Sequence, residues 1–347
     1  MIQTLRRHLF ATPIDAAVTI LGLYIAWRIA VPLVHWLVLD ATWHGTTRED
    51  CKGDGACWVF IRARFGQFMY GQYPVPERWR VDVVGALFVA VTAALSWRGL
   101  PNRGRLAWAS AIVLPPLGVV LLHGDWGTGL ELVETREWGG LMLTLFLTLY
   151  AGLIAVPLGI LLALGRRSRL PLIRFASVVF IEFWRGVPII TVIFLASILL
   201  PLIMPTGVDI DRLARAVIGL AFVIAAYMAE AVRGGLQALP DGQTEAAQAL
   251  GLGYWRIQRM IVLPQALRIS LPALTNEFIS LFKSTTLVLI VSIFDLLGIA
   301  QAALADPAWV GMNMEAYVFA GAIYWFACFG LSQWSRLREK RLAERGR

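Results

Sequence analysis

Long apolar runs alternate with short polar connections along the chain, and this pattern predicts about eight membrane-spanning helices. A helix that crosses a bilayer needs about 20 predominantly apolar residues. The runs approach that length without the strict alternation of a membrane β-strand. We therefore expect an all-α fold, a polytopic bundle of transmembrane helices. The predicted spans cover residues 15–39, 82–97, 106–122, 140–164, 187–204, 213–230, 269–294 and 314–334.

The composition narrows the class of protein further. Of the 347 residues, 58 % are hydrophobic and only 16 % are charged, against roughly 45–50 % and 25 % in soluble domains. These values exclude a soluble enzyme, a disordered chain and a fibrous repeat. Nucleic-acid binding is disfavoured as well, because the basic residues are scattered between apolar runs and are not clustered among stacking aromatic side chains.

The distribution of charge along the chain predicts its orientation in the membrane. The formal net charge is +8. If the N-terminus lies inside the cell, the cytoplasmic segments carry 19 Lys and Arg residues and the external segments carry eight. Cytoplasmic loops of membrane proteins are enriched in these residues. We therefore expect a multi-pass protein of a bacterial inner membrane with both termini in the cytoplasm.

One external loop, residues 40–81, is longer than the others and rich in aromatic residues. Within it, Cys51 and Cys57 flank a short glycine-containing turn on the oxidising side of the membrane. These two cysteines either form a disulfide or remain free thiols, and the sequence leaves both options open. The third cysteine, Cys328, lies in the last span and is expected to contribute to packing.

The connection over residues 230–268 is the one long cytoplasmic segment in this arrangement. Asp241 is expected to cap a helix that carries Glu245 in its first turn, where the helix dipole favours a negative charge. Gly251 and Gly253 are expected to end this helix.

A second short helix is predicted over residues 254–261, ending before Pro264. Two short helices with small residues at their corner can enter a groove on another protein, because the backbones can approach closely. The alternative is a re-entrant or interfacial helix pair that only shields the bundle.

The same segment carries a long motif that resembles the signature of the permease subunits of ABC importers. The pattern is Glu-Ala-Ala, three residues, Gly, nine residues and then Ile-x-Leu-Pro, and every residue and spacing is present. The matching residues are Glu245, Ala246, Ala247, Gly251, Ile261, Leu263 and Pro264.

Neighbouring segments resemble the polar amino acid uptake family within this group, chiefly Phe183–Pro188, Ala229–Gly235 and Ser280–Leu287. The resemblance covers about residues 140–334. It is greatest for the larger permease subunits of general L-amino acid or glutamate/glutamine/aspartate/asparagine uptake systems.

The resemblance implies a type I ABC importer permease core with cytoplasmic coupling helices. It divides the chain into an N-terminal extension of three spans over 1–138, a type-1 permease domain of five spans over 139–335 and a basic tail over 336–347. In such importers the helix from Glu245 to Gly251 seats in a cleft of a cytoplasmic ATPase. The implied function is translocation of polar L-amino acids across the inner membrane, driven by that ATPase.

The resemblance also implies a set of partners. They are an ATPase dimer, a second permease subunit that is the same chain or a paralogue, a periplasmic solute-binding protein, the amino acid and the membrane lipids. ATP and Mg are expected on the ATPase, with no cofactor, no metal and no enzymatic activity in this chain. The sequence agrees, because a Walker A loop needs Gly directly before Lys. The residues before the three lysines are Cys51, Phe282 and Glu339.

Ionisable and polar residues near the spans are candidates for a translocation path or gate, because charge within a membrane is costly. Two pairs with a spacing of three residues lie near the cytoplasmic boundary and form either gating contacts or orienting salt bridges. A third group, in the first half of the seventh span, either lines a path for a zwitterionic amino acid or holds helices together at a permease interface. These residues are Glu182, Arg185, Glu230, Arg233, Asn276, Glu277, Lys283, Ser284 and Thr285.

The alternative function is a secondary amino acid transporter or channel driven by an ion gradient. Such a protein typically has midplane carboxylates and broken helices in two matched halves, and no clear two-halves symmetry is present in the sequence. A membrane enzyme would need a paired-carboxylate, Ser/His or metal constellation, which no single span provides. Arg28, near the middle of the first span, has no assigned role.

Overall fold

The computed structural model describes residues 9–97, 99–205, 207 and 210–345, with side chains described up to residue 340, and this part of the chain is helical with no strand. The all-α prediction is therefore confirmed. The helices are α1 Pro13–Val34, α2 Trp58–Tyr70, α3 Arg78–Ser96, α4 Arg103–His123, α5 Gly140–Arg166, α6 Pro171–Gly186, α7 Ile189–Ile203, α8 Arg212–Gln237, α9 Gly242–Ala249, α10 Tyr254–Ile257, α11 Leu263–Ser284, α12 Leu296–Leu304 and α13 Asn313–Arg345.

Seven helical segments in the described residues are long and apolar enough to cross a membrane, and a bent pair of helices brings the number to eight. This confirms the prediction of about eight spans. The segments are Pro13–Leu39, Val75–Ser96, Arg103–His123, Gly140–Arg166, Arg212–Gln237, Tyr254–Val291 and Asn313–Lys340.

The bent pair is formed by α6 and α7, which meet at an angle of 104°. The predicted span 187–204 corresponds to α7 alone, and it is too short to cross by itself. The break falls at Val187, whose backbone is extended (φ −99°, ψ 131°), directly before Pro188. A residue that precedes proline is restricted away from the helical region, so this dipeptide separates the two helices.

The chain divides into two compact units. The first contains the residues up to Phe65 together with 302–319. Within it, the N–H of Cys57 donates a hydrogen bond of 3.0 Å to the Glu315 carboxylate. The ring of Phe60 lies 5.5 Å from that of Trp309. A loop near the N-terminus is thus joined to a segment about 250 residues further along the chain.

Helix α1 belongs to this first unit and none of its residues is buried. Thr12 and Asp15 form a capping box at its start. Arg28 is exposed on this helix. The same unit holds a disulfide between Cys51 and Cys57, whose Cα atoms are 5.7 Å apart.

The second unit contains residues 66–301 and those from 320 onward. Its core lies where α5, α8 and α11 pack together, and glycines permit the close approach. Gly159 of α5 lies against Ala225 and Met228 of α8, and Gly235 of α8 lies against Ala266 of α11. Small residues at such positions are the usual means by which membrane helices approach each other closely.

The structure corrects the prediction for the chain around Pro264. The helix that begins at Tyr254 does not end before this proline; it continues through a π-helical turn, Gln258–Val262, into α11. Pro264 lies in the first turn of α11, where proline is tolerated. Helicity is therefore continuous from Tyr254 to Val291.

Candidate functional site

The exposed corner between α9 and α10, residues 242–254, is the first part of the candidate site. Helix α9 ends in a Schellman motif. The N–H of Gly251 donates to the carbonyl of Gln248 (2.8 Å), and the N–H of Leu252 donates to that of Ala247 (3.2 Å). Gly251 has φ +74°, a left-handed conformation that favours glycine. The prediction that Gly251 ends this short helix is therefore explained by its left-handed backbone.

The beginning of α9 differs from the prediction. Asp241 precedes the helix, but its side chain accepts no capping hydrogen bond, and its backbone is itself helical (φ −62°, ψ −28°). An N-cap residue normally needs an extended backbone for its side chain to reach the next N–H groups. Glu245 does lie in the first turn, as expected.

The motif residues divide into an exposed group and an anchored group. Glu245, Ala246 and Gly251 are exposed, whereas Ala247 is buried. The three motif residues that follow, Ile261, Leu263 and Pro264, are half-buried at the start of the long helix. One half of the motif thus presents a surface, and the other half ties that surface to a transmembrane helix.

Large apolar side chains lie beside the exposed motif residues. Leu250 is 81 % exposed, and Tyr254, Trp255 and Met260 are also exposed. Exposed apolar clusters of this kind, rimmed by polar residues, are typical of surfaces that bind another protein. We call Glu245, Ala246, Leu250, Gly251 and Trp255 together the corner surface.

A network of ion pairs lies near the C-terminal ends of α5, α6 and α8, the last of which precedes the corner along the chain. The guanidinium of Arg166 contacts both Glu182 (2.9 Å) and Glu230 (2.8 Å). Glu230 also accepts from Arg233 at 2.6 Å, and Arg185 lies 4.0 Å from it. Three helices are thereby joined through one partly buried carboxylate.

Of the two ion pairs suggested by a spacing of three residues, the structure contains one and replaces the other. Glu230 and Arg233 pair along α8, as their spacing suggested. Glu182 contacts Arg166 rather than Arg185, and the guanidinium of Arg185 lies over the ring of Tyr227. In the sequence, Arg166 is only one of the 19 Lys and Arg residues whose distribution predicts the orientation. Its role as the bridge depends on how α5 packs against α6 and α8, which a helical spacing rule does not contain.

The polar residues 276–284 lie in the second half of α11, and Thr285 directly follows that helix. They were predicted in the first half of a span, and the difference arises because the helix begins earlier. They are not brought together into one group. Asn276 and Lys283 are exposed, Glu277 and Ser284 are half-buried, and the hydroxyl of Thr285 donates to the carbonyl of Phe282 at 2.8 Å. Thr285 is buried, which fits a packing role.

Asp295 is a buried acidic residue that the sequence analysis did not select. It accepts hydrogen bonds from the hydroxyl of Tyr324 (2.7 Å) and the N–H of Gly298 (2.9 Å). Next to it, the N–H of Leu296 donates to the hydroxyl of Thr144 at 3.0 Å. Asp295 could have been selected from the sequence because it is a lone carboxylate directly after the apolar run 287–294. It was missed because the predicted span ended one residue before it.

A polar pocket of about 230 Å³ lies at the opposite end of α8 from Glu230. Asp211 lines it and caps α8, accepting from the N–H groups of Leu213 (2.9 Å) and Ala214 (3.1 Å). The pocket contains carboxylates and guanidinium groups, so it offers partners to both ends of a zwitterion. Its charged lining residues are Glu134, Arg136, Asp211, Arg212 and Arg215.

The fold defines a class: a multi-pass helical membrane protein, which here has a polar pocket at the start of α8 and an exposed apolar corner between α9 and α10. Comparison with known proteins gives the family. Residues 155–344 match the family described as "Binding-protein-dependent transport system inner membrane component". The chain belongs to this family and is the permease subunit of an ABC importer in the inner membrane, which confirms the resemblance read from the motif.

Similar proteins cover nearly the whole chain. The "Inner membrane amino-acid ABC transporter permease protein YhdY" of Escherichia coli (strain K12) is 50 % identical over 336 residues, 97 % of this chain and 91 % of that protein. The "Glutamate/glutamine/aspartate/asparagine transport system permease protein BztC" of Rhodobacter capsulatus is 36 % identical and matches 98 % of this chain and 93 % of its own.

Among solved structures, the chain is similar to one described as "Crystal structure of an amino acid ABC transporter with histidines". The identity is 33 % and the TM-score 0.51, over 58 % of this chain and 92 % of that one. The solved relative therefore covers little more than half of this chain.

Proposed function

We propose that this permease carries polar L-amino acids across the inner membrane as one half of a permease pair, with a cytoplasmic ATPase dimer bound at the corner surface. The observation that carries the proposal is the exposed Schellman corner, continuous with a transmembrane helix. The relatives named for amino acid transport support the choice of substrate.

The corner can pass movement of a bound ATPase into the membrane by two connections. Helicity is unbroken from Tyr254 through the π turn into α11, so a displacement at the corner reaches the transmembrane helix directly. The ion-pair network around Glu230 links α5, α6 and α8 at the same end of the bundle. ATP and Mg belong to the ATPase partner in this proposal.

The substrate route proposed here begins at the polar pocket near Asp211 and ends near Glu230. These two carboxylates are 19 residues apart along α8, which is about 28 Å at 1.5 Å per residue and comparable with the thickness of a hydrocarbon core. Glu277 and Lys283 are the remaining candidates along the route. A periplasmic solute-binding protein would deliver the amino acid to the pocket end, with both termini and the corner surface in the cytoplasm.

The test uses cells that lack the chromosomal copy of this gene and express the chain from a plasmid. We expect the wild-type chain to restore uptake of labelled polar amino acids and Glu245→Lys to abolish it, because the added cation disrupts the ATPase contact. Glu131→Lys adds the same cation at an exposed position in the loop between α4 and α5, outside the corner surface and the polar pocket, and serves as the control for insertion and level of expression.

The opposing outcome is clear-cut. If the purified chain alone in liposomes takes up amino acids on an imposed ion gradient, without an ATPase, the protein is a secondary transporter and the proposed coupling is wrong.

A further inference from the structure

An apolar groove of about 310 Å³ lies between α3, α4 and α5, outside the sites described above. Helices α3 and α4 form a hairpin, and α5 contributes Leu149, Tyr150 and Leu153 to the groove. Gly118 of α4 allows the hairpin to lie close to α5, since a Cβ at that position would meet the hydroxyl of Tyr150. These helices cross the membrane, so the groove opens toward lipid and not toward water.

The groove offers hydrocarbon contacts and no free hydrogen-bonding hydroxyl. Three hydroxyl groups line it, and each donates to a backbone carbonyl within the protein. Thr92 donates to Phe88 (2.8 Å), Ser110 to Ala107 (3.0 Å) and Tyr150 to Pro115 (2.7 Å). A polar occupant would find no hydroxyl donor left for its acceptors, and the other lining side chains are hydrocarbon, so the lining favours an acyl chain.

One end of the groove carries groups suited to a lipid headgroup. Trp97 lies at the end of α3 and Trp108 in the second turn of α4. Each is 72 % exposed, and tryptophan is enriched where a bilayer meets water. Arg103 and Arg105 begin α4 at this end. Arg103 donates to the carbonyl of Leu95, which fixes a cation beside the mouth of the groove, and Arg105 is exposed.

The length of the groove suits an acyl chain. The lining residues Ala107 and Leu121 are 14 residues apart along α4, or about 21 Å at 1.5 Å per residue, which exceeds the ~15 Å of hydrocarbon in one leaflet. A single acyl chain can therefore lie along the groove over the full depth of its leaflet.

We propose that this groove binds an acyl chain of an anionic phospholipid whose phosphate is held by Arg103, which lies one turn before the lining residue Ala107 on the same face of α4. Cations near an anionic lipid surface each raise affinity about fivefold. The site belongs to the N-terminal helices that precede the family-matched region, which begins at residue 155. It gives these helices a specific ligand.

The test places the full chain in nanodiscs of phosphatidylcholine that contain a trace of photoreactive phosphatidylglycerol. After irradiation, labelled peptides are identified by mass spectrometry. We expect labelling in α3 and α4 that unlabelled phosphatidylglycerol suppresses and phosphatidylcholine does not. Arg103→Gln should reduce labelling about fivefold.

A matched pair of variants separates the groove from the general lipid surface. Ala111→Trp fills the groove and should abolish labelling, whereas Ile112→Trp adds the same bulk at an adjacent position that is 68 % exposed and outside the groove. Equal labelling by a phosphatidylcholine probe, or unchanged labelling in Ala111→Trp, would overturn the proposal. Loss of labelling once the partner subunits assemble would overturn it as well, because a polypeptide would then occupy the groove.

Discussion

At the scale of single residues, the corner surface depends most directly on Gly251. Its φ of +74° would cost a residue with a Cβ about 1–2 kcal/mol, although the space around it is open. Gly253 has φ −72° and needs no glycine. The sequence predicted that both glycines end the helix, because residue type alone does not reveal which backbone turns left-handed. The prediction that Asp241 caps this helix was wrong for the same reason, because residue type does not reveal that its backbone is helical.

Glu230→Gln is expected to lower the free energy of unfolding by about 1–3 kcal/mol, because it leaves Arg166 and Arg233 without their shared carboxylate. The Glu230 side chain is only 17 % exposed, so water can solvate the two unpaired guanidinium groups only poorly at this site. The measurement is the midpoint of thermal unfolding of the purified protein in detergent.

The control for this variant is Glu134→Gln. Glu134 pairs with Arg136, and the two side chains are 50 % and 74 % exposed, so the change should stay within about 0.5 kcal/mol. Equal effects of the two variants would contradict a structural role for the network.

At the scale of helices, the apolar runs predicted where most spans lie but not how they begin and end. Pro188 and Pro264 illustrate the difference. Pro188 separates two helices at a 104° bend, while Pro264 lies in the first turn of a continuing helix. Both prolines follow apolar residues, so the local sequence is similar. The packing of the following helix against its neighbours decides the outcome, and that information is not local.

The disulfide in the N-terminal unit gives a prediction at this scale. Alkylation of the denatured protein should modify one thiol without reductant, that of Cys328, and three after reduction. A Cys51→Ser variant should show two reactive thiols before and after reduction. The bond closes a short loop and is expected to stabilise its unit by about 2 kcal/mol. Three reactive thiols in the unreduced wild-type protein would contradict the bond.

At the scale of the whole molecule, the sequence predicted the class of protein, the number of spans and the family, because composition and a long motif carry them. It did not predict that residues up to Phe65 form a unit with 302–319. That association rests on contacts such as Cys57 to Glu315, between segments with no shared pattern. The bridging role of Arg166 was missed for the same reason.

The orientation of the whole chain is tested with single cysteines in a Cys328→Ser background. We expect a membrane-impermeant maleimide to label Leu132→Cys from outside intact cells. Leu250→Cys and Arg336→Cys should react only in inverted vesicles, because the proposed topology places the basic segments in the cytoplasm. Leu132 and Leu250 are exposed, as is Arg336, so accessibility reports the side of the membrane. Labelling of Leu250→Cys in intact cells would reverse the proposed topology.

The central claim, that the corner surface couples ATP hydrolysis to transport, is tested most directly by ATP-driven uptake in proteoliposomes that contain the assembled importer. Gly251→Asp introduces a side chain where φ is +74°. Gly253→Asp introduces the same side chain two residues away, at an N-cap position (φ −72°, ψ 156°), where aspartate is favoured. The account predicts that Gly251→Asp inserts normally but loses uptake by at least about tenfold, whereas Gly253→Asp retains it. Undiminished ATP-driven uptake by the Gly251→Asp protein would contradict it.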